Sequence, residues 1–197
     1  MRHRRRSRVL GRSPSHRKAL LRNLASALFL TEIDKDEFLD EKQAPKVKGR
    51  IVTTLPKAKE VRPLVERCIT IARQALPAVD EAEKLGTASD RNSDAWRKWR
   101  NSKQWSKWAA AISPAVNARR RVLRLLGNKR ATKVCFDVVA PRFADRAGGY
   151  TRILRLATPR LGDAGARAVL EFVGVRDRVS KRAPAPKFEG EPAGAES

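Results

Sequence analysis

Arginine dominates the beginning of the chain. Residues 1–22 contain no acidic residue and nine basic ones, which are Arg2, Arg4, Arg5, Arg6, Arg8, Arg12, Arg17, Lys18 and Arg22. A guanidinium group is planar, permanently charged and able to hold a phosphate through two hydrogen bonds. A segment of this composition has no internal partner for its charge and cannot bury itself. We therefore predict a phosphate-binding arm that is disordered in the free protein, although phosphate contacts alone do not distinguish DNA from RNA.

Four tryptophans form the second candidate site. They lie within thirteen residues and are interleaved with basic side chains, the rings being Trp96, Trp99, Trp105 and Trp108. Aromatic rings among cations suit stacking on unpaired bases. If the segment is a single helix, the two pairs of rings point in nearly opposite directions, which exceeds what packing on one domain would use. We predict a helical projection that docks on RNA or on a neighbouring protein, with packing inside the domain as the alternative.

The chain lacks the residues that a catalytic site would need. Its two histidines, His3 and His16, lie in the arginine-rich segment, and neither common glycine-rich phosphate loop occurs. Cys68 and Cys135 are far apart and have no C-x-x-C companion, which favours two buried thiols over a disulfide scaffold or a zinc site. We predict a non-catalytic protein without cofactor, metal or small-molecule substrate.

The net charge narrows the functional class. The 197 residues include 44 lysines and arginines against 21 acidic residues, which gives a formal net charge of +23. Such an excess opposes compaction unless a polyanion neutralises it. No stretch approaches the roughly 20 apolar residues that span a membrane, and the basic N-terminus lacks the apolar run of a secretory signal. These features predict a cytoplasmic nucleic-acid-binding protein that makes no membrane contact.

Hydrophobic periodicity predicts the elements that position these side chains. Helices are expected at about 14–30, from about 56 to 75, at 117–126 and at 131–146. Pro63 marks either the true first turn of the second helix or a kink in it, and Pro141 should interrupt or bend the last one. Strands are expected at 51–54, 150–156 and 168–175, the last two forming an antiparallel pair. The fold class is α+β, a two-layer domain in which helices pack on a small sheet of about three strands.

Several strings of residues, taken in order, are more specific than composition. They are MRHR at 1–4, LGR at 10–12, SHRKA at 15–19, RNLA at 22–25, IVTTLPKAKEVR at 51–62, ITIA at 69–72, PRFADRAGGYTRIL at 141–154, RLGDA at 160–164 and EFV at 171–173. In this order they resemble the ribosomal protein L17 family of the bacterial large subunit. The resemblance covers roughly residues 1–33, 50–76 and 117–176.

This resemblance implies a ribosomal protein without enzymatic activity. It is expected to be a structural constituent of the large subunit that binds large-subunit (23S) ribosomal RNA and neighbouring ribosomal proteins near the polypeptide exit region. The RNA-facing residues that it implies are Arg2, His3, Arg4, Arg5, Arg6, Arg8, Arg12, His16, Arg17, Lys18, Arg22, Lys57, Lys59, Arg62, Arg142, Arg146, Tyr150, Arg152 and Arg155. A free RNA- or DNA-binding protein of the nucleoid or RNA-chaperone type is the alternative.

The same comparison indicates how the chain is divided. We expect a basic arm at 1–14, a ribosomal protein domain at 15–176 and a flexible tail at 177–197, because the tail is rich in proline, alanine, glycine and glutamate. Two stretches, at about 34–49 and 77–116, have no counterpart in the family pattern and are expected to be insertions between elements. The tryptophans all lie in the second one.

Overall fold

The structure, a computed structural model, describes residues 7–34 and 44–174. The expectations for residues 1–6, for most of the first insertion and for the C-terminal tail lie outside the described residues. No helix in the part of the chain described here is long and apolar enough to cross a membrane.

Three antiparallel strands form the sheet, and the last strand of the chain lies in its middle. The strands are β1 (Arg50–Thr54), β2 (Thr151–Arg155) and β3 (Arg167–Phe172), in the spatial order β1-β3-β2. The registers pair Arg50 with Glu171 and Thr151 with Phe172. The predicted α+β class and the antiparallel pairing of the last two strands are confirmed.

Seven helices lie in the described ranges, and several of them pack on the sheet. They are α1 (Pro14–Leu30), α2 (Leu55–Gln74), α3 (Leu76–Leu85), α4 (Asp94–Arg100), α5 (Lys103–Leu126), α6 (Lys129–Val134) and α7 (Ala140–Arg142). Pro14 and Pro56 occupy first turns, where a missing N–H costs nothing. Pro63 lies inside α2 rather than in its first turn.

The hydrophobic core lies between the sheet and helices α1, α2, α5 and α6. The ring of Phe172 on β3 lies 5.6 Å from that of Phe29 on α1 and 6.4 Å from that of Phe143. Both cysteines are free and buried in this core, as the sequence predicts. Burial raises the pKa of the Cys68 thiol to about 12 and raises that of Cys135 as well, so both remain protonated.

Helix α5 corrects one sequence prediction. It begins at Lys103 rather than at 117 and continues through Pro114 to Leu126. Its buried side includes Ala115, Ala118 and Val122, all of which belong to the core. The stretch 77–116 therefore consists of α3, α4 and the first half of α5, and the last part of that stretch already contributes to the core.

The predicted helix 131–146 is also shorter and less regular than expected. After α6, the backbone widens into a π-helical segment (Cys135–Val139), and α7 ends at Arg142. Pro141 has no N–H to offer the carbonyl of Asp137, so a regular α-helical ladder cannot continue through it. The wider segment and the early end of α7 are the two visible consequences.

Candidate nucleic-acid interface

Residues 14–22 of the N-terminal basic segment lie in helix α1, so this part is ordered, contrary to the prediction that the whole of 1–22 is disordered in the free protein. His16, Lys18 and Arg22 are exposed on it, and Arg17 is half-buried. The Arg22 guanidinium donates a hydrogen bond of 3.1 Å to the backbone carbonyl of Arg124, near the end of α5. The basic side of α1 is therefore joined to the end of a second helix far away in sequence.

Residues ahead of α1 continue this surface toward α2. Arg8 is exposed and its Nε lies 3.4 Å from a carboxylate oxygen of Glu60, whereas Arg12 is half-buried. The pair with Glu60 offsets part of the charge of Arg8, but half of the Arg8 side chain stays exposed to solvent. Arg2, His3, Arg4, Arg5 and Arg6 lie outside the described residues.

A second basic surface, which the sequence analysis did not single out, lies where α5 meets α6. We call it the α5–α6 cluster, and its members, all exposed, are Arg119, Arg120, Arg121, Arg124, Lys129, Arg130 and Lys133. Gly127 ends α5 with a φ of 72°, and the Asn128 side chain accepts a 3.0 Å hydrogen bond from the N–H of Ala131 to begin α6. This two-residue link brings the cations of both helices to one corner.

Where α5 and α6 meet, their side chains line a shallow groove of about 250 Å³. Arg119 and Arg120 line it from α5, while Lys129 and Lys133 line it from α6. Residues 117–134 contain no acidic residue, and the carboxylate of Asp137 lies 3.1 Å from the Arg119 guanidinium. The sequence signal for this surface is a second basic run without acidic residues, comparable to the one at 1–22.

Three arginines from the family-like strings are already paired with carboxylates. Glu32 is nearly buried and receives two hydrogen bonds, of 2.8 and 2.7 Å, from Arg142. Arg152 lies 2.5 Å from Glu171, and Arg62 lies 3.0 Å from Glu66 on the next turn of α2. Glu32 raises the pKa of Arg142 mainly through this hydrogen bonding. These three guanidinium groups therefore make ion pairs within the protein that stabilise the fold.

Tyr150 is placed differently from what the resemblance implies. Its side chain is 1% exposed, and its ring lies 5.2 Å from that of Phe143. Its hydroxyl is shielded from solvent and has no hydrogen-bond partner among the residues described. The structure therefore places Tyr150 in the hydrophobic core, where neither face of its ring is open for stacking.

The remaining family-like cations lie on other parts of the surface. Lys57, in the first turns of α2, lines a groove of about 390 Å³ together with Arg160 and Arg167, beside the edge strand β1. Lys59 and Arg155 are exposed. Arg146 donates a 3.2 Å hydrogen bond to the carbonyl of Gly148 in the turn before β2.

The tryptophans lie on two helices rather than one. Ser93 begins α4 by accepting a hydrogen bond from the N–H of Trp96, and Ser102 begins α5 in the same way through Gln104. The chain therefore turns between Trp99 and Trp105. The single-helix geometry on which the two-faced prediction depended is wrong, because the turn brings the rings together instead of separating them.

The four rings form a cluster outside the domain core. The rings of Trp99 and Trp108 meet edge to face at 5.6 Å, and the Arg100 guanidinium lies 5.2 Å from the centres of both Trp96 and Trp105. All four are half-buried, and none belongs to the core. With Gly86, Thr87, Ser89 and Arg91, they line a cleft of about 360 Å³, which we call the tryptophan cleft.

A family profile and several relatives of known family all match this chain, and they agree on one protein family. A sequence profile described as ribosomal protein L17 matches residues 20–173. Large ribosomal subunit protein bL17 of Rhodopirellula baltica is 62% identical over 189 residues, which cover 96% of this chain and 89% of that protein. The protein of the same name from Mesorhizobium japonicum is 36% identical, covering 93% and 87%, and that from Halothermothrix orenii is 32% identical, covering 84% and 96%.

Proposed function

The chain belongs to the ribosomal protein L17 family, and from that membership we propose that it is a non-catalytic structural constituent of the large ribosomal subunit. In this proposal, it binds large-subunit ribosomal RNA and neighbouring proteins near the polypeptide exit region. The observation that carries the RNA-binding part is the α5–α6 cluster, whose seven exposed cations share residues 117–134 with no acidic residue.

The proposed surface extends from this cluster onto α1. The hydrogen bond from Arg22 to the Arg124 carbonyl joins the two, and Lys18 is exposed on the same helix as Arg22. A polyanion lying across both helices would neutralise charges that otherwise repel one another, which offsets the cost of bringing them together. Folded RNA supplies phosphates at the density that such a surface needs. Residues 1–12 would continue along the same RNA.

The paired arginines have a supporting role in this proposal. Arg142 and Arg152 join separate elements through Glu32 and Glu171, whereas Arg62 pairs with Glu66 within α2. They contribute to RNA binding mainly by keeping the scaffold in place. Lys57, Lys59 and Arg155 offer secondary contacts to RNA phosphates.

The salt dependence of RNA binding tests this proposal. Each phosphate contact contributes about 0.7–0.9 to the slope of log K against log salt concentration. For large-subunit ribosomal RNA, we expect the triple variant Arg120→Gln, Arg124→Gln and Lys133→Gln to have a slope that is less steep by about 2–3. Removal of residues 1–12 should reduce it independently.

A pair of single changes provides the matched control. Arg120→Gln removes one cation from the α5–α6 cluster, whereas Lys46→Gln removes one exposed cation from the segment before β1. Only Arg120→Gln should make the slope of log K against log salt concentration less steep. Equal effects of the two would mean that binding responds to net charge and not to this surface, which would overturn the proposal.

The contact between the α5–α6 cluster and ribosomal RNA can be examined separately. A photo-crosslinker placed at Lys133 in assembled subunits should react with ribosomal RNA, and one placed at Lys46 should not. If the crosslinks from Lys133 went only to proteins, the assignment of the α5–α6 cluster to RNA would be wrong.

A further inference from the structure

We propose that the tryptophan cleft binds an unpaired base of single-stranded RNA, as a second contact distinct from the basic surface of α1 and the α5–α6 cluster. The inference goes beyond phosphate binding, because it assigns base stacking to the inserted segment. It rests on the proposed RNA-binding function only in taking RNA as the polyanion.

The first step is that the tryptophans are not needed to complete the domain core. All four are half-buried, whereas the core is filled by residues of α1, α2, α5, α6 and the sheet. The capping serines, Ser93 and Ser102, hold the α4–α5 corner that brings the rings together. A large aromatic surface is thus maintained at the outside of the molecule by a built corner.

The second step concerns charge. The segment 91–108 carries one acidic residue, Asp94, and six basic ones, which are Arg91, Arg97, Lys98, Arg100, Lys103 and Lys107. Asp94 lies 3.7 Å from the guanidinium of Arg97, so its charge is partly offset. Cations among aromatic rings are typical of single-stranded nucleic-acid sites, and a segment with this excess of positive charge attracts a polyanion. The charge therefore favours RNA over a protein partner.

The third step concerns shape and hydrogen bonding. The cleft, at about 360 Å³, lies at the lower end of the roughly 300–1,000 Å³ of small-ligand sites, so it suits one flat base better than a helix. The indole N–H of Trp99, which lines it, is shielded from solvent and has no acceptor among the residues described. A ring nitrogen or carbonyl of a base would satisfy this donor. Thr87 and Ser89 place two hydroxyl groups at the same cleft.

The fourth step selects unpaired RNA over a duplex. A base inside a helix already stacks on both of its neighbours, so its faces are closed to a protein ring. A base in a loop or bulge can leave the stack and meet an aromatic ring or a guanidinium plane. Arg100, which lies over both Trp96 and Trp105, offers such a plane next to the rings.

Intrinsic fluorescence provides a direct test. The cleft contains all four tryptophans of the chain, so the tryptophan emission of the full-length protein reports on this site alone. The probes are an oligoadenylate of about ten nucleotides, within the ~4–16 nucleotides that single-stranded binding folds cover, and an abasic oligomer of equal length and charge. Oligoadenylate should quench the emission, whereas the abasic oligomer should bind without quenching it.

Variants distinguish stacking from charge. Trp105→Ala should weaken oligoadenylate binding about 5- to 150-fold, the loss of one stacked base, and leave abasic binding unchanged. Trp105→Phe keeps a stacking ring and should retain most of the affinity. A circular dichroism spectrum equal to that of the wild type shows that α4 and α5 are still folded in each variant.

The contrary outcomes are separable from failure of the proposed function. Salt-dependent binding of oligoadenylate without quenching, equal quenching by the two oligomers, or equal weakening of both by Trp105→Ala would each overturn the base-binding inference and leave the basic surface intact. If neither oligomer binds even at low salt, the proposed RNA-binding function fails as well. Quenching that appears only on addition of other ribosomal proteins would assign the cleft to a protein.

Discussion

The ion pair between Glu32 and Arg142 makes the sharpest prediction about the scaffold. Glu32 follows α1 and Arg142 ends α7, so their contact joins two segments 110 residues apart. The side chain of Glu32 is 6% exposed and that of Arg142 is 27% exposed. In Arg142→Met, the methionine fills part of the space but leaves the Glu32 carboxylate shielded and without its charge partner.

The expected cost follows from burial. Removing one member of a buried pair costs about 3–5 kcal/mol, and we expect about 3 kcal/mol because water reaches the Arg142 side of the pair. For a chain of this size, that corresponds to a fall in the melting temperature of about 6–12 °C. Thermal unfolding followed by circular dichroism measures it. Adding Glu32→Leu to Arg142→Met should restore much of the loss, since the unpaired charge is then absent.

A pair of similar geometry on the surface is the matched control. Arg160 also donates two hydrogen bonds to one carboxylate, that of Asp163, but about half of each side chain is exposed. Arg160→Met should leave the melting temperature essentially unchanged, because water screens an exposed pair. If Arg142→Met proved as mild as Arg160→Met, the argument from burial would be refuted.

Three other changes give further tests of the scaffold. Gly49→Ala should lower the melting temperature, because Gly49 has a φ of 72° and an added Cβ would lie 2.7 Å from the Glu32 carboxylate; a rise would contradict this. Tyr150→Phe should leave stability equal or slightly higher in thermal unfolding, because the buried hydroxyl has no partner in the described chain. Above pH 9.0, the ordinary pKa of the thiols, urea titrations should show stability falling by up to roughly 1.4 kcal/mol per pH unit for each of Cys68 and Cys135, because the unfolded thiols ionise while the folded ones, with raised pKa values, do not. The double change to alanine should remove that fall.

Local patterns were enough to predict the elements with a single buried side. Helices α1 and α2 and the strand pair β2–β3 show apolar spacing that matches their period, and their observed bounds lie close to the predicted ones. The pairing of β1 with β3 was not predictable in this way. It joins residues such as Arg50 and Glu171 that are far apart in sequence, and no turn signal connects them.

The errors have local physical causes. Ser93 and Ser102 each cap a helix, and treating both as starts would have divided the tryptophan segment correctly. Helix α5 is longer than predicted and continues through Pro114, a residue type that more often ends or bends a helix. The burial of Tyr150 depends on its contact with Phe143, which strand alternation alone does not reveal.

The candidate site was also only partly predictable from the sequence. Sequence composition identified the basic residues of α1, and the same reasoning applied to 117–134 would have identified the α5–α6 cluster. Composition could not show that Arg142 and Arg152 are held by Glu32 and Glu171, because these ion pairs form only when distant segments fold together. Charge in a sequence marks a possible surface, and the fold decides which cations remain available.

Sedimentation of cell extract in high salt tests the central claim most directly. We expect the wild-type chain to migrate with large subunits at one copy per subunit. The triple variant Arg120→Gln, Arg124→Gln and Lys133→Gln should be displaced toward the top of the gradient at salt concentrations that the wild type withstands. A wild-type chain found mainly at the top would favour a free nucleic-acid-binding protein. Retention of the triple variant equal to that of the wild type would contradict the role of the α5–α6 cluster.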